Sequence, residues 1–172
     1  EVLLLDSPIV SHLIQKLETS KENISFVRVD SDHVDNLIKK EEEQVSKLSE
    51  EEKEKLKTDF EKVVPKETYT VQLEAMDSSS APLIITQPEF MRRMKEMQQT
   101  GGGGMFGMGN MPEMYNLVVN TNNELISTIL NSDEETQGKL IKQSLDLARL
   151  SQNLLKGEEL TNFVKRSFEM IK

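Results

Sequence analysis

Residues 68–75 read TYTVQLEA, with Tyr69, Val71, Leu73 and Ala75 alternating against Thr68, Thr70, Gln72 and Glu74. A period of two belongs to a strand with one face on a core and the other in water. The chain therefore carries a sheet. A Ser-rich turn, Ser78–Ser80, leads on to a second apolar run, Leu83–Ile85. This spacing predicts an antiparallel hairpin between the two. Tyr115, Leu117 and Val119 alternate again and supply a further strand; beyond it the chain reads as helical to its end.

Upstream, Val2–Leu5 is a short continuous apolar run, the pattern of a strand buried on both faces. Ser7 offers an N-cap and Pro8 the first helical position. Ile9, Val10, Leu13, Ile14 and Leu17 follow at helical spacing, so a core-facing helix is expected over 8–18. Ile24–Val29 reads as a strand. A strand, a helix and a strand at this distance predict a βαβ unit with a right-handed crossover, and a short helix should follow around Val34–Ile38. Composition then shifts, and Lys39–Glu67 is dominated by charge. Within it Ser49 and Glu52 have capping-box spacing, and Leu56, Phe60, Val63 and Val64 form a thin apolar stripe that stops before Pro65. That predicts an exposed helix lying on the domain by one narrow face, its charges a solvated surface. The fold class is α+β: a small mixed sheet with a βαβ unit and a hairpin, packed by helices.

The 172 residues suffice for one domain around one core. The chain opens inside a strand-like run without an initiator Met, so it reads as part of something longer. A formal charge of −9 argues against a free-standing nucleic-acid module, whose affinity comes from clustered Lys and Arg. Without Cys there is no disulfide scaffold, thiolate metal site or Cys nucleophile. The longest apolar run is Val2–Leu5, so no membrane partner is expected.

No catalytic constellation emerges. His12 and His33 are the only neutral-pH bases, and they sit on separate elements without a carboxylate or metal partner at ligand spacing. His12 falls on the polar side of its helix and reads as a surface residue. Gly101–Gly104 raises the question of a phosphate loop, which needs a strand before it, a helix after it, and a Lys with Ser or Thr. Here a helix precedes the glycines and Met105 and Phe106 follow them. The carboxylates fall in solvated runs, not in the apolar settings that raise a pKa for acid–base work. The chain reads as non-enzymatic, with no cofactor or metal of its own.

Seven of the nine Met lie between Met91 and Met114. Thr86 with Glu89 has capping-box spacing, Pro88 sits in the first turn, and Phe90, Met91, Met94 and Met97 share one face of the helix that follows. Arg92, Lys95, Glu96 and Gln99 occupy the other. Core packing would explain such a face, since Met fills gaps well. A binding surface explains it better. Leu or Ile specifies a core at lower rotamer cost, and the helix runs into a Gly-rich loop with Met105, Phe106, Met108 and Met111. Flexible, polarizable apolar surface suits repacking around dissimilar partners.

The last third reads as helices. Thr121 with Glu124, and Ser132 with Glu135, have capping-box spacing; Leu140, Leu147 and Leu154 recur every seven residues on a helix expected to end near Lys156, with Gly157 as its C-terminal cap. Leu160, Phe163, Val164, Phe168 and Ile171 line a final helix. Two consecutive antiparallel helices this apolar either fold back on the sheet or pair with a second copy as a dimeric four-helix bundle, and the pattern favours self-association.

Together these stretches resemble the C-terminal domain of the ninety-kilodalton heat-shock chaperones, in their bacterial branch, the high-temperature protein G family. The opening VLLLDSPIVSHLIQKLE is similar to that family's passage from middle to C-terminal domain. SAPLIITQPEFMRRMKEM (80–97) resembles its strand and exposed amphipathic helix. YNLVVNTNNELI (from 115) and LIKQSLDLARL (from 140) resemble its last strand and dimerisation helices. The resemblance implies one C-terminal dimerisation and client-binding domain over 1–172. Its α/β part would be 1–119, with the charged segment 39–67 and the Met/Gly-rich segment 86–114, and its dimerisation helices 120–172. It implies a stress-response chaperone of the bacterial cytoplasm that binds non-native proteins, with ATP and Mg held by domains outside this chain. Phe90, Met91, Met94 and Met97 match the client-contacting helix, with Met105, Phe106, Met108 and Met111 continuing that surface. Leu140, Leu147, Leu150, Leu154, Leu160, Phe163, Val164, Phe168 and Ile171 fall on the helices that match the dimer interface. The chain ends FEMIK, without the acidic co-chaperone-docking pentapeptide or the retention signal of eukaryotic members. The competing reading is a Met-rich module for signal peptides or amphipathic helices. Such a module is all-helical and needs a basic face, and this chain has an alternating strand and a net negative charge.

Overall fold

The computed structural model describes residues 9–26, 44–88 and 114–171, together with Leu4 and Met91. In chain order the elements are α1 (Val10–Ser20), α2 (Glu50–Val63), β1 (Tyr69–Glu74), β2 (Leu83–Thr86), β3 (Tyr115–Asn120), α3 (Glu124–Asn131), α4 (Glu134–Ser151) and α5 (Gly157–Ile171). The strands form one mixed sheet in the order β1-β3-β2, with β1 parallel and β2 antiparallel to β3. The mixed α and β content matches the expectation. The anticipated strands at 2–5 and 24–29, the βαβ unit they would form and the helix at 34–38 fall largely outside the described residues, and Ile24–Phe26 are not in a strand.

β1 alternates as its sequence demands: Tyr69 and Val71 are buried, Thr70 and Gln72 exposed. β3 does not, because Val118, on the face opposite Leu117 and Val119, is only 1% exposed. A strand covered on both faces belongs in the middle of a sheet. Its register stacks Val71, Leu117 and Ile85 in one row and Leu73, Val119 and Leu83 in the next. These rows meet Leu56 and Phe60 of α2, Ile126 and Ile129 of α3, and Ile141, Leu145 and Ala148 of α4 in a single core.

The expected hairpin is not there. β1 and β2 lie on opposite edges with β3 between them. The reason sits at the end of β3, where side-chain amides take up the polar backbone of the β1–β2 connection. Asn120 donates to Asp77 O at 2.8 Å, Asn122 to Met76 O at 3.1 Å, and Asn123 to Ser78 O and Ser80 O at 3.3 and 2.9 Å. With its carbonyls satisfied this way, the connection arches across the end of β3 from one edge to the other. Backbone bonds from Thr121 N to Glu74 O and from Asn120 N to Pro82 O complete the junction, both at 2.9 Å.

The charged segment delivers the helix its pattern called for. Ser49 Oγ accepts from Glu52 N and Glu52 Oε2 accepts from Ser49 N at 2.8 Å, a full capping box, and Glu50, Glu51 and Glu52 favour the positive end of the helix dipole. Leu56 and Phe60 are fully buried on its narrow apolar face. At about 1.5–3 kcal/mol for each such side chain, two residues hold an otherwise solvated helix in place. The buried Asp59 adds a polar staple, accepting from Gln137 of α4 at 3.0 Å and from Lys62 at 2.9 Å.

The caps of α3 and α4 differ from the expected boxes. Asn123, not Thr121, caps α3 by accepting from Leu125 N at 2.9 Å, while Thr121 donates to Glu74 O. Asp133, not Ser132, caps α4 by accepting from Thr136 N at 3.0 Å, and Ser132 donates back to Thr128 O. In each case a longer-reaching Asn or Asp lay closer to the first turn. α4 also ends at Ser151 instead of near Lys156. Asn153 takes φ 61°, with Asn153 N bonded to Leu150 O and Leu154 N to Arg149 O, a Schellman closure built on Asn. Gly157, expected as that cap, opens α5 with φ 59°. A helix stands where 8–18 was expected, α1 from Val10 to Ser20; of its expected core face Val10, Ile14 and Leu17 are half-buried, while Leu13 is 50% exposed and Ile9, just before the helix, 72%.

Candidate functional site

α4 and α5 run antiparallel, and their apolar residues divide into two sets. Ile141, Leu145 and Ala148 of α4 face the core, and Leu140 and Leu154 pack partly against it. From α5 Phe163 alone is buried. Leu147 (51% exposed), Leu150, Val164, Phe168 (66%), Met170 and Ile171 (81%) remain open to solvent.

Helical spacing shows how the open residues relate. Leu147 and Leu150 stand four and seven positions after Gln143, so they share its face of α4; Leu160, Val164 and Ile171 likewise share a face of α5 with Ser167. Gln143 Nε2 donates to Ser167 Oγ at 2.7 Å. The two faces therefore meet, and Leu147 and Leu150 lie along one apolar seam with Val164 and Ile171; Phe168, four residues after Val164 and three before Ile171, flanks that stripe on α5, and Met170 stands on the other side of the face. Of the expected interface set, Leu147, Leu150, Val164, Phe168 and Ile171 line this exposed seam. Leu140, Leu154 and Leu160 are half-buried, and Phe163 is buried within the chain itself.

Beneath the seam lies a charged lattice that sequence reading missed. Asp146 is 2% exposed. Its Oδ2 accepts from Arg166 at 2.7 Å, and its Oδ1 accepts from Arg149 at 3.2 Å and Lys142 at 3.3 Å. Arg149 also grips Glu159 through both terminal nitrogens, at 3.1 and 2.6 Å. That fork–fork pairing holds the Glu159 carboxyl below its ordinary pKa and raises the guanidinium's. Arg166 donates to Gln143 Oε1 at 2.8 Å and stands 5.8 Å from the centre of the Phe163 ring. On the sheet side the lattice borders Tyr69, whose ring stacks on Tyr115 with centroids 5.8 Å apart and whose hydroxyl burial pushes upward in pKa. Asp146 carried one signal in the sequence: a carboxylate between Leu145 and Leu147 in an apolar run.

For the Met segment, Met91 lies in helical backbone and is partly buried. Phe90, Met94, Met97, Met105, Phe106, Met108 and Met111 lie outside the described residues, as does Glu89; Thr86 is the buried last residue of β2. His12 is exposed on α1, as its position on the helix implied. Among the described residues no three His, Asp or Glu side chains gather as a metal ion would require, and no helix is long and apolar enough to cross a membrane.

No family model matches the chain. Curated relatives do. It is 32% identical to the chaperone protein HtpG of Bacteroides thetaiotaomicron over 99% of this chain and 35% of that protein. To the chaperone protein HtpG of Porphyromonas gingivalis it is 40% identical over 92% of this chain and 23% of that protein. A third, from Bacteroides fragilis, is 31% identical over 99% of the chain. The chain thus spans about a third or less of the length of the relatives it matches. Matches of this identity across nearly every residue carry one conclusion: the chain belongs to the HtpG family of chaperone proteins.

Proposed function

We propose that this chain is the self-association and client-contacting part of an ATP-driven chaperone of the bacterial cytoplasm. The observation that carries this reading is the apolar seam of Leu147, Leu150, Val164, Phe168 and Ile171. Isolated exposed apolar side chains are ordinary, but several aligned along two tied helices are an interface waiting for cover. A second copy provides that cover symmetrically: two α4–α5 pairs packed seam to seam form a four-helix bundle whose two-fold makes the contact self-complementary. Dimerisation would set two Met-lined surfaces, from Phe90 to Met111, facing one cleft. A non-native chain touching both gains from the second contact being intramolecular. ATP binding and hydrolysis, and the Mg they need, belong to parts of the relatives beyond this stretch, and the chain itself supplies binding rather than chemistry.

The test is the molar mass of the 172-residue chain by light scattering across a dilution series. Twice 19.6 kDa throughout supports the bundle; a monomer at every concentration removes it. For the client surface, replacing Met91, Met94 and Met97 together by Ser should weaken capture of an unfolded protein while leaving the unfolding midpoint nearly unchanged. A loss of several kcal/mol in stability, the scale of large-to-small core substitutions, would show those side chains to be core instead.

A further inference from the structure

We infer that Asp146 is a positioning residue that fixes the pose of α5, and through it the strength of self-association, without touching the partner. The inference rests on the dimer reading for its second half alone. α5 has fifteen residues, of which Phe163 is the only one buried. So little apolar contact leaves the orientation of a helix weakly set, because dispersion and burial are non-directional. The directional contacts are polar and converge on one side of α4. Arg166 reaches Asp146 and Gln143, Ser167 receives from Gln143, and Glu159 takes both terminal nitrogens of Arg149. About two turns of α4, from Gln143 to Arg149, thereby hold α5 at Glu159 and at Arg166 and Ser167.

Asp146 is the keystone of this set. It is the buried anion between two guanidiniums that would otherwise repel, and each of these carries a second contact, Arg149 to Glu159 of α5 and Arg166 to Gln143 of α4. Among the described residues Arg149 Nε is the sole buried side-chain polar atom without a hydrogen-bond partner. That guanidinium has already given up one bond to reach Asp146 and Glu159 together, so its placement is set by the lattice and not by its own hydration. Removing one member of such a buried set leaves the others uncompensated, which costs more than the pair contributes.

The experiment compares Asp146→Asn, Asp146→Glu and the native chain by amide hydrogen exchange and by sedimentation. Asn keeps the shape and removes the charge. In Asp146→Asn the amides of α5 should exchange at least about tenfold faster while those of β3 and α2 are unchanged, and the dimer dissociation constant should rise at least about tenfold, on the scale of one charge-assisted hydrogen bond. Asp146→Glu, which restores the charge, should recover most of both. Should the buried substitution unfold the chain, Glu159→Gln at the exposed end of the lattice serves, with a smaller change in the same direction. Unchanged α5 exchange in Asp146→Asn and Glu159→Gln overturns the inference, as does equal loosening of β3. Faster α5 exchange in a chain that is monomeric throughout sustains the pose and removes the dimer reading.

Discussion

Phe168→Asp is the substitution that most directly tests the seam. Phe168 is 66% exposed in the protomer. A Phe side chain offers about 200 Å², so about 130 Å² stays open to a partner, worth about 3 kcal/mol at ~25 cal/mol per Å². A two-fold interface counts that twice, about 6 kcal/mol in the dimer if all of it is covered. Even half coverage leaves about 3 kcal/mol, roughly a hundredfold in dissociation constant, and the buried Asp adds a desolvation cost on top. Sedimentation from micromolar to nanomolar concentration should show the variant as a monomer where the native chain is a dimer. Its protomer stability should shift by no more than about 0.5 kcal/mol, as for other exposed positions. Asn162→Asp, also exposed but turned away from the seam on the same helix, is the control and should leave assembly alone. If Phe168→Asp stays dimeric with a dissociation constant within about threefold of native, the seam is not the interface and exposure of its side chains does not mark where the copies meet. Phe163 could not separate the two outcomes, because its buried ring couples any substitution to the docking of α5.

Phe60→Ala should lower stability by about 3–5 kcal/mol in urea unfolding, since the ring is fully buried between α2 and the sheet. Asn120→Ala should cost about 2 kcal/mol or more by removing the acceptor of Met76 N and Asn122 N, measured by the same unfolding curves. Acid should loosen the helix ends before the core. Glu159 is depressed by Arg149, Glu52 by hydrogen bonds from Ser49, and Asp133 by those from Thr136. A carboxyl depressed in the folded chain stabilises it fully above its ordinary value, 4.5 for Glu and 3.8 for Asp, and that support fades as pH falls through the lower folded value. Helical circular dichroism followed from pH 6 to about 2 should fall in that acid window, and Glu159→Gln should flatten the α5 part of the loss.

What the sequence made legible follows from how local each signal is. The alternation at Tyr69–Gln72 and the Ser49–Glu52 box with its Leu56 and Phe60 stripe are satisfied by near neighbours, and both appear as read. Strand order was not legible. Nothing between Ala75 and Pro82 says that β3, thirty residues on, will be inserted between β1 and β2; that depends on the amides of Asn120, Asn122 and Asn123 reaching back over more than forty residues. The helix caps missed by one or two positions for a related reason. Ser, Thr, Asn and Asp compete for the same first-turn amides, and the winner depends on where the preceding strand delivers the chain. At the candidate site, heptad spacing picked out Leu140, Leu147 and Leu154 as one set and could not show how burial divides them. Leu140, Leu147 and Leu154 look alike in sequence, yet only Leu147 faces solvent.

That division bears on how the interface would work. A helix anchored by one buried ring and a set of ion pairs has a docking equilibrium of its own, and in the proposed dimer a second copy would meet only the docked form. Apparent affinity then scales with the docked fraction, so anything that shifts α5 on α4 shifts dimerisation in proportion. The two contributions also respond oppositely to salt. Partly buried ion pairs such as Arg149–Glu159 weaken as salt rises, whereas burial of Phe168 and Ile171 strengthens with sulfate. Chloride and sulfate salts at equal ionic strength therefore separate them: both screen the lattice, and only sulfate favours the seam. An affinity that falls in chloride and recovers in sulfate means docking and burial act in series. An affinity indifferent to chloride means that α5 is held by its apolar contact alone, and the lattice merely occupies the space between the helices.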